Sequence, residues 1–380
     1  MMKEQRKNAP RRQAEQRAYK KKRIAVIVTA AVLALAMLVS AVVLTLTHRA
    51  AALSFGGATL REDAYAYLFS CYKYEYLAAY KQLGIEDTEE GWQKTTEDGK
   101  TYADAFKAAI DKEIALRFVA SVLYDKSGEK LSDATLASLK GVIEEMEEYS
   151  YGEDMYAALK DCYGIRRNGL KRIALYEVKY KALLTYLYGG DFSGVFAAEH
   201  ADDLAAFYRE HYTRVSFIYL SDEKNLDTQA AFRAAIAEGL DDVEFSEWER
   251  EYSEKSVSEN YPNGIYLYDG IRYDGVFSDS LLSAFYSLES EGNMTEVRDD
   301  EAGGTYFVRR YALDEKPYLS KDEKVKKSLD GFAEYAARAF YRKELEEYLD
   351  DVVTEKAITD AYTLPKVKKE ALYNIVNLLK

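Results

Sequence analysis

Histidine and cysteine are scarce in this chain: three and two residues among 380. His48, His200 and His211 give no zinc-like spacing, since the last two lie eleven positions apart, so they read as surface side chains. So few imidazoles leave no Ser/His/Asp set to assemble. The Gly56-Gly57 and Gly303-Gly304 pairs read as turns, because neither sits in the G-x-x-x-x-G-K-[ST] pattern that cradles phosphates. Two cysteines exclude a disulfide-dependent scaffold. Cys71 and Cys162 fall in helical patterns and are expected as two buried thiols, with a single disulfide as the alternative. Neither a metal nor a cofactor is expected. The Glu144-Glu145 and Glu147-Glu148 run reads as a solvated helix face.

What the chain does have begins with residues 24–47, IAVIVTAAVLALAMLVSAVVLTLT, which contain no charged side chain. A helix of that length spans about 36 Å, enough to cross a hydrocarbon core of about 30 Å. Residues 1–23 hold ten Lys/Arg against Glu4 and Glu15, which places that tail in the cytoplasm by the positive-inside bias. The tail then meets anionic headgroups. With 65 acidic and 52 basic residues and a net charge of −13 overall, the acidity lies on the far side of the membrane and argues against nucleic acid as a partner there. A cleaved signal peptide is the competing reading, with the small residues Ala50, Ala51 and Ala52 following the run. No cysteine closes the run, which argues against a lipid-anchored lipoprotein.

Downstream, LSF is expected as a short strand, Gly56-Gly57 as a turn and Leu60 as the residue leading into a helix. Tyr65, Leu68, Phe69, Tyr72 and Tyr76 share one face of that helix, and Phe106, Ile110, Ile114, Phe118 and Val122 one face of another, with GWQKTTEDGKTY as a polar loop between them. Helical patterns continue through 132–148 and 153–187, broken at Gly164, with no strand expected from 60 to 190. Near residue 203 the texture changes. A short helix, the apolar RVSFIYL strand, two helices, IYLY, a further helix and TYFVRRYAL give β-α-α-β-α-β, an α+β module. Beyond Pro317 the pattern is helical again, interrupted at Pro365. Tyrosine is abundant, with 34 residues, and YPNGIYLYDGIRYDGVF concentrates it; such rings either build the core or offer an apolar face with a polar tip for loose recognition.

The order of these parts resembles the PrsA/SurA-type extracytoplasmic foldases, in which a parvulin-type peptidyl-prolyl isomerase module interrupts a helical chaperone region. FGGATLREDAY is similar to the opening strand-turn-helix of that family. DDLAAFYREHYTRVSFIYL resembles the start of the isomerase module, EFSEWEREYSE a following helix, and GGTYFVRRYAL its last strand. FSDSLLSAFYSLESEGNMTEV matches best, through Phe277, Ala284, Phe285, Leu288, Gly292, Thr295 and Val297. To the basic tail at 1–23 and the transmembrane helix at 24–47 read from the residues, the resemblance, which spans roughly residues 53–349, adds a helical chaperone-like region at 48–208, a parvulin-like module with a small antiparallel sheet at 209–314, and C-terminal helices at 315–380. It also implies unfolded or newly exported polypeptides as partners, while the apolar run and the basic tail give a single-pass membrane location with the bulk outside the cytoplasm.

On this correspondence the family's two pocket histidines fall on Phe217 and Tyr306, and its Asp or Cys near Lys255. The pocket phenylalanine is kept as Phe277, and its neighbouring methionine falls on Tyr273. The expectation is a degenerate isomerase site in a chaperone. An active isomerase with an aromatic pocket, and an envelope scaffold gripping one dedicated partner, are the alternatives.

Overall fold

The computed structural model describes residues 50–380 apart from 81–83, 97, 150–151, 191–194, 256, 258–259, 262, 272, 274, 302, 368–373 and 380. The expected basic tail and transmembrane helix lie outside the described residues. Among the described residues no helix is long and apolar enough to cross a membrane. The chain is α+β and divides into two units, Met1–Leu183 with Arg342–Lys380, and Leu184–Tyr341.

In the first unit, β1 (Ala51–Phe55) and β2 (Ala58–Arg61) form an antiparallel hairpin. Gly56 and Gly57 turn it with φ of 57° and 86°, the left-handed backbone that a two-residue hairpin loop demands and that glycine adopts without steric cost. Leu60, expected to lead into the helix, instead pairs with Leu53 inside the hairpin.

Helix α1 (Glu62–Ala79) follows, with Glu62 and Asp63 at its positive N-terminus. The expected face is inside, with Tyr65, Leu68, Phe69 and Tyr72 buried, but so are Tyr67, Cys71 and Lys73 on other faces. A helix buried nearly all round is a core helix. The predicted polar loop also folds: α2 (Glu89–Gln93), capped by Thr88, buries Trp92 completely, and Thr95 bridges Thr101. A lone tryptophan carries no period, which is why the sequence pattern does not reveal it.

Helix α3 (Tyr102–Ser127) starts at the Thr101 cap, whose Oγ1 accepts from the Asp104 amide at 3.0 Å, and stops at Gly128 in the left-handed conformation. All five residues of its predicted apolar face are buried. Helices α4 (Asp133–Tyr149), α5 (Gly152–Tyr163) and α6 (Arg167–Tyr188) continue, with Gly164 between the last two. Both thiols are free; Cys71 is buried, but Cys162 is exposed near the end of α5, which corrects the expectation of two buried thiols.

The second unit opens with α7 (Val195–Glu199) and α8 (Ala201–His211) and then alternates: β3 (Tyr212–Ser221), α9 (Asp222–Glu238), α10 (Asp242–Tyr252), β4 (Ile265–Tyr268), α11 (Asp279–Ser287), β5 (Met294–Asp299) and β6 (Gly304–Tyr311). The strands form one antiparallel sheet in the order β4-β3-β6-β5. The β-α-α-β-α-β outline therefore gains a strand, β5, at the edge beside β6. Alternation along β3 feeds two cores. Val215, Phe217 and Tyr219 join Leu281, Leu282 and Phe285 of α11 on one face, while Ile218 and Leu220 join Phe232 of α9 and Phe245 of α10 on the other. The chain then passes through α12 (Glu323–Ser328) and α13 (Phe332–Glu346), a two-residue strand β7 (Val353–Thr354) that pairs with β1, and α14 (Lys356–Thr359), to α15 (Ile375–Leu379).

Burial of so many phenols has a consequence for pH. Tyr65, Tyr72, Tyr208, Tyr212 and Tyr266 are all raised above the ordinary value of 10.0, with burial as the largest cause. The folded chain keeps those protons while the unfolded chain releases them near pH 10. Their contribution is therefore fully present below pH 10 and is lost as pH climbs through the raised values, at about 1.4 kcal/mol per pH unit per phenol. Stability is expected to hold between pH 7 and 9 and collapse above 10. The absorbance change of the buried phenols should then coincide with loss of far-ultraviolet ellipticity; complete ionisation of all 34 tyrosines without unfolding would refute this.

Candidate functional site

The site is built on the apolar face of the four-stranded sheet. Phe217 on β3 lies opposite Val308, and Tyr219 opposite Tyr306, so Phe217, Tyr219 and Tyr306 project to the same side. The ring centroids of Phe217 and Tyr306 are 5.3 Å apart, edge to face, and those of Tyr219 and Tyr306 are 4.8 Å apart. The cluster extends from Phe217 to Phe285 of α11 at 6.3 Å, on to Phe277 at 5.3 Å and then to Tyr273 at 6.3 Å.

Lys255 is placed by the turn after α10. The Tyr219 amide donates to Ser253 Oγ at 3.0 Å, Ser253 Oγ donates to the Lys255 carbonyl at 2.8 Å, and the Glu254 amide donates to the Tyr219 carbonyl at 2.9 Å. Those bonds pin residues 253–255 against β3. The exposed Lys255 then sits with its ammonium 3.9 Å from the Tyr219 ring centre and 4.7 Å from that of Tyr306, donating to the Tyr306 hydroxyl. Burial raises the Tyr219 phenol, and the Lys255 charge opposes that.

Tyr273 is fixed at the other end, its hydroxyl accepting from the Tyr268 amide at 2.7 Å; burial pushes it up to about 12. Gly264, at φ 86°, lets the preceding loop close onto β3, because a Cβ there would stand 2.9 Å from the Val215 carbonyl oxygen. The structure thus joins Lys255, Tyr306, Phe217, Phe277 and Tyr273 through Tyr219 and Phe285 into one contiguous cluster.

Beside it opens a cavity of about 160 Å³ whose walls include Tyr212, Tyr261, Tyr268, Tyr273, Phe277 and Tyr335. That is below the 300 Å³ or more that drug-sized ligands occupy and suits a single side chain. Val276, 62% exposed, stands at its edge and offers apolar surface to water. The tyrosine-rich 261–277 segment supplies much of the wall. Tyr212 and Tyr335 are additions that the sequence does not signal, since they come from β3 and α13.

His200 and His211, read from sequence as surface side chains, are half-buried. His211 packs on Phe207 at 4.7 Å and pairs with Asp269 at 3.1 Å, and His200 packs on Phe196 at 4.9 Å. In the acidic run, Glu147 pairs with Arg167 at 2.6 Å and Glu144 with Lys140 at 3.3 Å. Among the described residues no group of three or more His, Cys, Asp or Glu could hold a metal ion.

No protein-family model matches the chain, and no curated protein matches it. Solved structures do. PrsA from Bacillus subtilis is 21% identical, over 73% of this chain and 99% of that one, with a TM-score of 0.24. The peptidylprolyl isomerase PrsA from Bacillus anthracis is 18% identical, over 62% and 93%, with a TM-score of 0.23. The foldase protein PrsA from Streptococcus pneumoniae is 14% identical, over 72% and 99%, with a TM-score of 0.23. The chain is similar to PrsA-type foldases.

Proposed function

We propose that this protein is a membrane-anchored extracytoplasmic chaperone of the PrsA/SurA kind that binds unfolded exported polypeptides and no longer isomerises proline. The observation that carries the reading is the contiguous aromatic cluster at the positions where the sequence resemblance expects a polar isomerase pocket. Rotation about a prolyl bond faces a barrier of about 18–20 kcal/mol and is accelerated by groups that favour the twisted amide over the planar one. Here Phe217 and Tyr306 pack against each other, and the Lys255 ammonium is engaged by two rings. What the module offers a client is the small tyrosine-walled cavity, which accepts an apolar side chain without demanding a sequence. Residues 24–47 provide the anchor, and the basic tail sets its orientation.

The test is a protease-coupled prolyl isomerisation assay beside an aggregation-suppression assay, both on the full chain in detergent micelles. Suppression of client aggregation without acceleration of isomerisation is expected, and Phe277→Ala should weaken suppression several-fold. Acceleration that disappears in Phe277→Ala would establish an active isomerase instead. One stoichiometric partner with no general client binding would establish a scaffold.

A further inference from the structure

In the first unit, residues 374–379 lie in a groove formed by α1 and α4. Ile375 and Val376 are completely buried there, and α4 turns Leu139, Ile143 and Met146 inward. The polar contacts reach mostly main-chain atoms. Tyr67 Oη accepts from the Ile375 amide at 3.3 Å, and the Val376 backbone hydrogen-bonds the Cys71 sulfur. Lys181 donates to the Leu379 carbonyl at 2.7 Å, while Asn374 is held through its side chain by Glu75 at 3.3 Å. Two positions after Cys71 on α1, the buried Lys73 donates to the carbonyls of Leu364 at 2.7 Å and Val367 at 2.5 Å, and pairs with Asp87 at 2.7 Å.

We infer that this groove is a binding site for an apolar polypeptide segment, and that residues 374–379 are its resident occupant in the resting chain. Main-chain amides and carbonyls are common to every sequence, so the contacts that hold Ile375, Val376 and Leu379 suit any segment with two adjacent apolar side chains to bury. A helix of five residues is not stable by itself in water, so α15 is held by the groove and loses its shape when it leaves. Leu378 remains 51% exposed, so Ile375 and Val376 are the side chains that the groove takes in. Because the occupant is tethered, it competes at millimolar effective concentration, and an incoming segment binds weakly until residues 374–379 are displaced. The inference rests on the chaperone reading for its biological meaning and names the site through which that reading would operate.

The test uses the full chain in detergent micelles carrying Cys162→Ser, which leaves Cys71 as the one thiol. Ile375→Asp with Val376→Asp unseats the resident segment. The probe is a fluorescein-labelled peptide of residues 373–380, YNIVNLLK. Modification of Cys71 by a neutral thiol reagent should be at least tenfold faster in the double variant, the peptide should bind at least tenfold more tightly than to the parent, and saturating peptide should slow the modification again. Equal peptide affinity in the two chains, or peptide that leaves Cys71 as reactive as before, overturns the inference. Should the double variant fail to fold, the parent decides. Saturating peptide must speed amide exchange at Ile375 and Val376, and unchanged exchange overturns the inference. A client aggregation assay run in parallel separates the two claims. Peptide recapture without suppression sinks the chaperone reading and keeps the groove; suppression without recapture does the reverse.

Discussion

Replacing Arg117 by alanine is expected to cost the first unit about 3–5 kcal/mol, the range for breaking a buried ion pair from one side. The Arg117 side chain is only 11% exposed and reaches α3 and α6 together, pairing with Glu113 and, at 3.3 Å, with Glu177. It also lies over the Tyr180 ring at 4.2 Å and the Tyr72 ring at 5.6 Å. Glu113 has a second cation in Arg342 of α13, but Glu177, 3% exposed, would keep, among the described residues, the hydrogen bond donated by the Tyr72 phenol and no cation. The alanine variant thus leaves a carboxylate in a poorly solvated place with its charge unmatched, and it removes a plane of packing between two tyrosines.

Adding Glu177→Gln separates those causes. The amide still accepts from Tyr72 and carries no charge, so Arg117→Ala with Glu177→Gln is expected to recover more than half of the loss in urea unfolding of the full chain. Recovery of less than a quarter would mean that the guanidinium matters for how it stacks and not for what it neutralises.

Much of the helical framework was legible because burial on one side imposes a period. Tyr65, Leu68, Phe69 and Tyr72, like Phe106 through Val122, are spaced for one face and are buried. The central strands β3 and β6 were legible because they are apolar and rich in aromatic and β-branched residues. The edge strand β5 was not: MTEVRD carries Glu296, Arg298 and Asp299, the charges that blunt an exposed edge, and so it resembles a loop. β7 is two residues long and exists only because β1 offers it a ladder.

The buried lysine of α1 could not be inferred from pattern either. Lys73 is tolerable inside because carbonyls nearly three hundred positions away, at Leu364 and Val367, take its hydrogen bonds. The site residues came from resemblance, since nothing in the period or composition singles out Phe217 or Tyr306. What the sequence lacked was the turn at Ser253 that swings Lys255 over Tyr219, because that depends on main-chain bonds to β3.

Placing imidazoles at the two ring positions, Phe217 and Tyr306, is expected to destabilise the second unit and not to create an isomerase. Phe217 is 9% exposed and Tyr306 5%, and they touch each other edge to face within a core completed by Val215, Val308, Leu282 and Phe285. Each histidine gives up apolar area and brings two ring nitrogens into a place lined by aliphatic and aromatic carbon, at about 1–3 kcal/mol for every polar group left without a partner. The two rings are in contact, so their costs do not simply add, and about 3–5 kcal/mol is expected for Phe217→His with Tyr306→His together. Tyr306→His also removes the hydroxyl that takes the Lys255 hydrogen bond and leaves that ammonium against the Tyr219 ring.

Denaturant unfolding reads the loss, and the isomerisation assay on the same preparation reads the chemistry. A variant that keeps parental stability and accelerates isomerisation would show that the pocket is a dormant catalytic site. The expected outcome, lower stability with no acceleration, follows from packing: the diagonal rings Phe217 on β3 and Tyr306 on β6 are part of the core, and the space that two facing histidines would need around a substrate is already filled by Phe285 and Phe277.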